Sequence, residues 1–142
     1  MAVGLGMTVV ALDPYASPEI AAANSVSMVS DLQVLLPLVD FLTIHTPLVA
    51  STMDLINTDE LKKMKKTARV LNVARGGVFN EEALLEALEA GTIAGAGLDV
   101  FTSEPPAPDS AAQKLSRHPK VVATPHLDRK STRLNSSHQY YL

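Results

Sequence analysis

Five short runs of apolar and β-branched residues recur along this chain, and they constrain its fold more than any other feature. None of them alternates strictly between apolar and polar residues, which is typical of strands buried on both faces of a parallel sheet. Their starts lie about 25–35 residues apart, the spacing of strand–helix–strand units. The pattern predicts an α/β fold with a doubly wound, mostly parallel sheet, whose strands cover residues 8–12, 41–45, 69–73, 96–100 and 121–124.

Two of the intervening stretches carry helix signals. Thr58 is a candidate N-cap for a helix that Asp59 opens and that lysines follow toward its C-terminal end, where the helix dipole favours cations. Asn80 is a candidate N-cap for a second helix, and Gly91 sits at the position just beyond its end.

Composition excludes several classes of protein. A chain of 142 residues is long enough for one domain, and its net charge of −3 argues against a nucleic-acid partner, which would want a clustered basic face. The absence of cysteine excludes disulfides and thiolate metal sites, and the four histidines show no metal-ligand spacing. No apolar run approaches the ~20 residues that cross a membrane. We therefore predict a soluble, cytoplasmic domain with no metal, membrane or nucleic-acid partner.

The two ends of the chain differ from its middle. Residues 128–142 are polar and without period, which fits either a disordered tail or a stretch unrelated to the domain. The string from Asp128 to His138 looks like the translation of a common sequencing adapter, and we expect it to be an artefact. Met1 leads almost directly into the first strand-like run. We expect residues 1–127 to be a partial domain, truncated at both ends.

Ligands of parallel sheets bind at the carboxyl ends of the strands, so the residues that follow each run are candidates for a site. Asp13 follows the first run and can accept hydrogen bonds from ribose hydroxyls, or simply open a turn with Pro14. His45 and Thr46 follow the second run. We expect His45 to be packed or hydrogen-bonded rather than catalytic, whereas Thr46 has a hydroxyl to offer a cofactor. Asp99 ends the fourth run.

The remaining strand ends carry more specific chemistry. Arg75 precedes Gly76 and Gly77, and glycines there permit close approach of the backbone. The guanidinium either clamps a substrate carboxylate or belongs to a surface turn. His126 follows the fifth run, and a carboxylate such as Glu104 would fix its tautomer for proton transfer to a carbonyl oxygen. Spacing alone does not establish that these two side chains touch.

Four motifs in order and spacing resemble the D-isomer-specific 2-hydroxyacid dehydrogenases. The resemblance covers residues 1–127, almost entirely inside the nucleotide-binding domain of that family. It implies a Rossmann-like NAD-binding fold, NAD-dependent oxidation of a small 2-hydroxy acid, and a homo-oligomer in the full-length protein. The motifs are Arg75-Gly76-Gly77, Asp99-Val100-Phe101, Glu104-Pro105-Pro106 and Thr124-Pro125-His126-Leu127.

The resemblance also implies a role for each matching residue. Arg75 would bind the substrate carboxylate and carbonyl, and Glu104 would support His126 as the acid/base. Asp13 would bind the ribose and so favour NAD over NADP, while Asp99 would contact the nicotinamide carboxamide. The full set implied to bind the cofactor is Asp13, Thr46, Val73, Ala74, Arg75, Asp99 and His126.

The chain also departs from the family. It contains no Gly-x-Gly-x-x-Gly turn, and after Leu127 it continues Asp128-Arg129-Lys130 where the family has Gly-Ala-Ser-Thr. We expect the chain alone to bind NAD weakly and to turn over no substrate. Among 2-hydroxy acids 3-phosphoglycerate is the leading candidate, with glyoxylate/hydroxypyruvate or D-lactate enzymes as alternatives. A corepressor of the same fold is the alternative outside enzymes.

Overall fold

Six parallel strands and five α-helices alternate in the computed structural model, which describes residues 1–127. Strands β1 and β2 pair as one sheet, and strands β3 to β6 pair in the order β3-β4-β5-β6 as another. The strands are β1 (Val9–Ala11), β2 (Val26–Met28), β3 (Phe41–Ile44), β4 (Arg69–Asn72), β5 (Gly95–Leu98) and β6 (Val121–Ala123). The helices are α1 (Pro18–Ala23), α2 (Leu32–Leu35), α3 (Thr58–Lys63), α4 (Glu81–Glu89) and α5 (Ala111–Arg117).

The predicted α/β fold with parallel strands is confirmed. Each of the five apolar runs corresponds to a strand that is shorter than the run by one or two residues, and β5 begins at Gly95, one residue before its run. The strands are divided between two sheets rather than joined in one, and β2 was not predicted. Its three residues, Val26, Ser27 and Met28, are too short a run to stand out by hydrophobicity.

The core lies between the four-stranded sheet and the helices that follow its strands. Leu84 and Leu88 of α4 are four residues apart, share one face of the helix and are fully buried. Leu61 of α3 and Leu115 of α5 are fully buried beside them. Each such leucine contributes about 1.5–3 kcal/mol by leaving water. These helices pack against the sheet, so the loops at its carboxyl edge are anchored to a rigid base.

The start of α3 corrects one prediction. Asn57, not Thr58, is the N-cap: its side chain accepts the N–H of Asp59 at 3.0 Å. The Glu60 side chain accepts the N–H of Asn57 at 3.3 Å, which completes a capping box. Thr58 is the first residue of the helix instead. The predictions for α4 are confirmed, because Asn80 caps it and Gly91 follows it with a φ of +69°.

We expect Asn57→Ala to lower the free energy of unfolding by about 1 kcal/mol, since the capping box loses its side-chain acceptor. Thr58→Ala, one position further on, removes no cap and should cost clearly less. Urea unfolding of the two variants decides between the two positions. A larger loss for Thr58→Ala would contradict the capping seen here.

Candidate active site

The carboxyl ends of four adjacent strands bring the predicted site residues to one edge of the sheet. His45 and Thr46 follow β3, Arg75 follows β4, and Asp99 follows β5. His126 follows β6 after a short connection. Because all pairings are parallel, these ends meet at the same edge.

A cavity of about 330 Å³ opens between the ends of β3 and β4. The hydroxyl oxygen of Thr46 is buried there and has no hydrogen-bond partner within residues 1–127. A buried hydroxyl without a partner is costly, so this atom suits a polar group of a ligand. His45 instead bonds the Thr43 hydroxyl through Nε2 at 3.0 Å, as expected for a hydrogen-bonded rather than a catalytic imidazole. The lining residues are His45, Thr46, Pro47, Ala74 and Arg75.

A buried asparagine shapes the turn that carries Arg75. Asn72, 3% exposed, donates through Nδ2 to the Arg75 carbonyl at 2.9 Å and accepts the Ala74 N–H at 3.2 Å. These two bonds fix the backbone that follows β4. The exposed Arg75 guanidinium donates to the Ala74 carbonyl at 2.7 Å and lies at the cavity. Sequence reasoning missed Asn72, although a lone amide inside an apolar run was a signal.

Gly76 brings the β4–α4 turn into direct contact with the loop after β5. A Cβ atom on Gly76 would lie 2.1 Å from the Phe101 carbonyl oxygen and 2.5 Å from the Thr102 nitrogen. Only glycine leaves room for two backbones at this distance. The next residue, Gly77, has a φ of +85°, a conformation that also favours glycine.

Glu104 and His126 form a carboxylate–imidazole pair, which their spacing in the sequence allowed but did not establish. His126 Nδ1 lies 2.8 Å from Glu104 Oε2 and 3.1 Å from Oε1. Both side chains are about three-quarters buried, with 25% and 24% exposed. With Nδ1 facing the carboxylate, Nε2 is the atom that can exchange a proton with a ligand. Glu104 also accepts the Phe101 N–H at 3.2 Å, which ties it to its own loop.

Asp99 holds the segment that carries His126. Its two carboxylate oxygens accept the Leu127 N–H at 3.0 and 3.1 Å, and it is hydrogen-bonded to the Thr124 hydroxyl. His126, between these two anchors, has a φ of +52°, which is uncommon outside glycine and is found at functional positions. This positioning contact was not predicted. Contact of Asp99 with a nicotinamide carboxamide stays a prediction.

Asp13 and Val73 were also predicted to bind the cofactor. Asp13 accepts the Tyr15 N–H at 2.8 Å, the turn that the sequence allowed as its alternative role. Its role toward a ribose stays a prediction, as does that of Val73, which is 50% exposed. Within residues 1–127, no group of three or more metal-ligating side chains is present, and no helix is long and apolar enough to span a membrane. The interpretation of residues 128–142 lies outside the described residues.

The parallel sheet and the cavity at its carboxyl edge are typical of a nucleotide-binding α/β domain. The family model of the D-isomer specific 2-hydroxyacid dehydrogenase NAD binding domain matches residues 1–127. The chain belongs to this family, which confirms the resemblance noted in its motifs and the prediction of NAD as the cofactor.

Curated relatives extend the match. The chain is 50% identical over 124 residues to D-3-phosphoglycerate dehydrogenase 3, chloroplastic, of Arabidopsis thaliana, covering 87% of this chain and 20% of that protein. It is 47% identical over 122 residues to the D-3-phosphoglycerate dehydrogenase of Bacillus subtilis, covering 86% of this chain and 22% of the relative. The chain thus spans about one fifth of the length of these relatives.

Solved structures share the fold. The NAD-complexed D-isomer specific 2-hydroxyacid dehydrogenase of Lactobacillus delbrueckii ssp. bulgaricus matches with a TM-score of 0.79 and 29% identity, over 99% of this chain and 49% of that one. A D-lactate dehydrogenase from Sporolactobacillus sp. matches with a TM-score of 0.80 and 36% identity, over 88% of this chain and 40% of that one. These matches confirm the Rossmann-like fold.

Proposed function

We propose that this domain serves an NAD-dependent dehydrogenase that oxidises 3-phosphoglycerate to 3-phosphohydroxypyruvate, a step of serine biosynthesis. One observation carries the choice of substrate: identity to D-3-phosphoglycerate dehydrogenases is 46–50%. The D-lactate enzyme from Sporolactobacillus sp., by comparison, is 36% identical. Action on a small-molecule 2-hydroxy acid, assembly as a homo-oligomer in the full-length protein and a cytoplasmic location belong to the same proposal.

The residues at the sheet edge support the chemistry. Arg75 binds the substrate carboxylate with its guanidinium fork and polarises the adjacent carbon–oxygen bond. His126 Nε2 takes the proton of the substrate hydroxyl, while the Glu104 carboxylate at Nδ1 holds the ring and stabilises its positive charge. Such a pair acts in both directions, as base in oxidation and as acid in reduction.

Residues at the cavity offer contacts to the cofactor that the family binds. NAD, when bound, supplies the hydride acceptor. The Thr46 hydroxyl, which has no partner within residues 1–127, offers it a polar contact, and the backbone of Val73 and Ala74 follows β4 at the same edge. Asp13 would accept the ribose hydroxyls and repel a 2′-phosphate, which favours NAD over NADP.

A substrate panel on the full-length protein tests the proposal. We expect kcat/KM for 3-phosphoglycerate, followed by NADH formation, to exceed that for D-lactate and D-glycerate by about 100-fold or more, since a site built to bind a phosphate rejects analogues that lack it. A preference for D-lactate would instead indicate a D-lactate enzyme. NAD binding without turnover of any 2-hydroxy acid would instead indicate the corepressor of the same fold.

For the 142-residue chain itself we expect weak NAD binding, with a Kd of about 1 mM or above, which corresponds to a binding free energy no stronger than about −4 kcal/mol. The reason is that its sequence has no Gly-x-Gly-x-x-Gly turn to receive the pyrophosphate at a helix N-terminus. Isothermal titration calorimetry measures this directly. Micromolar affinity would show that the remaining contacts suffice and would contradict the expectation.

A further inference from the structure

One carboxylate outside the predicted site ties the loop that carries Glu104 to the start of α4. Glu81 Oε1 accepts the Thr102 backbone N–H at 2.7 Å and the Thr102 hydroxyl at 3.0 Å. Hydrogen bonds to an ionised acceptor are about twice as strong as those between neutral groups. The cap of α4 does not need this side chain, because Asn80 already supplies it.

The same loop also packs against Gly76. The Phe101 carbonyl lies so close to Gly76 that no Cβ fits between them. The peptide that joins residues 101 and 102 is therefore held by Gly76, which lies in the β4–α4 connection beside Arg75, and by Glu81, the first residue of α4. The distance between Arg75 and the Glu104 loop thus depends on contacts made by the segment 76–81.

The position of Glu104 depends on this loop. Its carboxylate accepts the Phe101 N–H at 3.2 Å, next to the residue that Glu81 holds. The bond from Glu104 to His126 is 2.8 Å long. A displacement of the loop by about 1 Å is enough to break a bond of this length and to release the imidazole.

We propose that Glu81 is a positioning residue that aligns the Glu104–His126 pair with Arg75. The inference rests on the proposed function, which gives that pair its role in proton transfer. Glu81 touches neither ring nor substrate and acts through Thr102 and the loop 101–104.

Nuclear magnetic resonance of the 142-residue chain tests this without any turnover. An imidazole Nδ1–H bonded to a carboxylate gives a downfield proton resonance protected from water, which is assigned by its loss in His126→Gln. We expect Glu81→Ala to speed exchange of this proton by about 10-fold or more, the factor that corresponds to about 1.4 kcal/mol of lost protection. Glu81→Gln retains an accepting oxygen and should preserve the resonance.

Glu82→Ala is the matched control, because Glu82 is the exposed neighbour in the same helical turn. It should leave the His126 proton unchanged. If Glu81→Ala does not fold, Thr102→Val removes the hydroxyl bond alone and should give a smaller acceleration. Wild-type exchange in the folded Glu81→Ala variant, or in Thr102→Val where that variant is used, would overturn the proposal. The substrate panel separately decides the proposed function, so loss of turnover and failure of the positioning role are distinguishable.

Discussion

Replacing His126 with asparagine lowers kcat of the full-length protein by about 100- to 10,000-fold, the contribution typical of a positioned general base. The expectation follows from the ring's geometry, with Nδ1 held 2.8 Å from Glu104 and Nε2 left for the substrate. Steady-state rates of NADH formation with 3-phosphoglycerate measure the effect. The KM for NAD should change less than kcat, because Thr46 and the other residues that line the cavity stay in place.

His45→Asn is the control for this prediction. His45 lines the cavity at the same edge, yet its Nε2 is bonded to the Thr43 hydroxyl. At saturating NAD we expect it to leave kcat within about threefold of the wild type, far from the loss expected for a general base. Adding Glu104→Gln to His126→Asn should lower kcat little further, since residues that act as a unit are not additive. Equal losses for the two histidines would contradict the assignment of His126.

Replacing Gly76 with alanine lowers the free energy of unfolding by about 3 kcal/mol or more, the upper range for overpacking. The added Cβ would meet the Phe101 carbonyl at 2.1 Å, and this neighbour is backbone that cannot rotate away. The loop 101–104 must then move, so the Glu104–His126 bond should weaken as well. Urea unfolding followed by circular dichroism measures the stability.

Gly4→Ala provides the comparison for that substitution. A Cβ on Gly4 would meet nothing within 4 Å, so its cost should stay within about 0.5 kcal/mol. A stability of Gly76→Ala close to that of Gly4→Ala would show that the two backbones do not pack as described.

Strands β3 to β6 could be predicted because each is an apolar run long enough to stand out. Once they were known to be parallel, the positions of Arg75, Asp99 and His126 at one edge followed from chain direction alone. The strand β2 and the helices α1 and α2 could not be predicted in this way. The three residues of β2 and the four of α2 are too few to show a pattern, whereas Ser17 and Pro18 at the start of α1 were a helix-start signal that sequence reasoning missed.

The contacts that build the site depended on loops whose course no local pattern determines. The approach of Gly76 to Phe101 joins residues 25 positions apart, and the bond from Glu81 to Thr102 spans 21. Spacing allowed a pairing of Glu104 with His126 but could not establish it. The cap at Asn57 was missed for a smaller reason: Asn57 and Thr58 are both good capping residues, and only the backbone distinguishes them.

We expect the carboxyl edge of β3 to β6 to bind NAD beside Arg75 and the Glu104–His126 pair. Chemical-shift mapping of the 142-residue chain, titrated with NAD to well above the expected Kd, tests this prediction, because weak binding suffices for the measurement. We expect saturable shifts that cluster at residues 13, 45–47, 73–75, 99 and 124–126. Shifts that cluster on another surface, or none at saturating NAD, would contradict it.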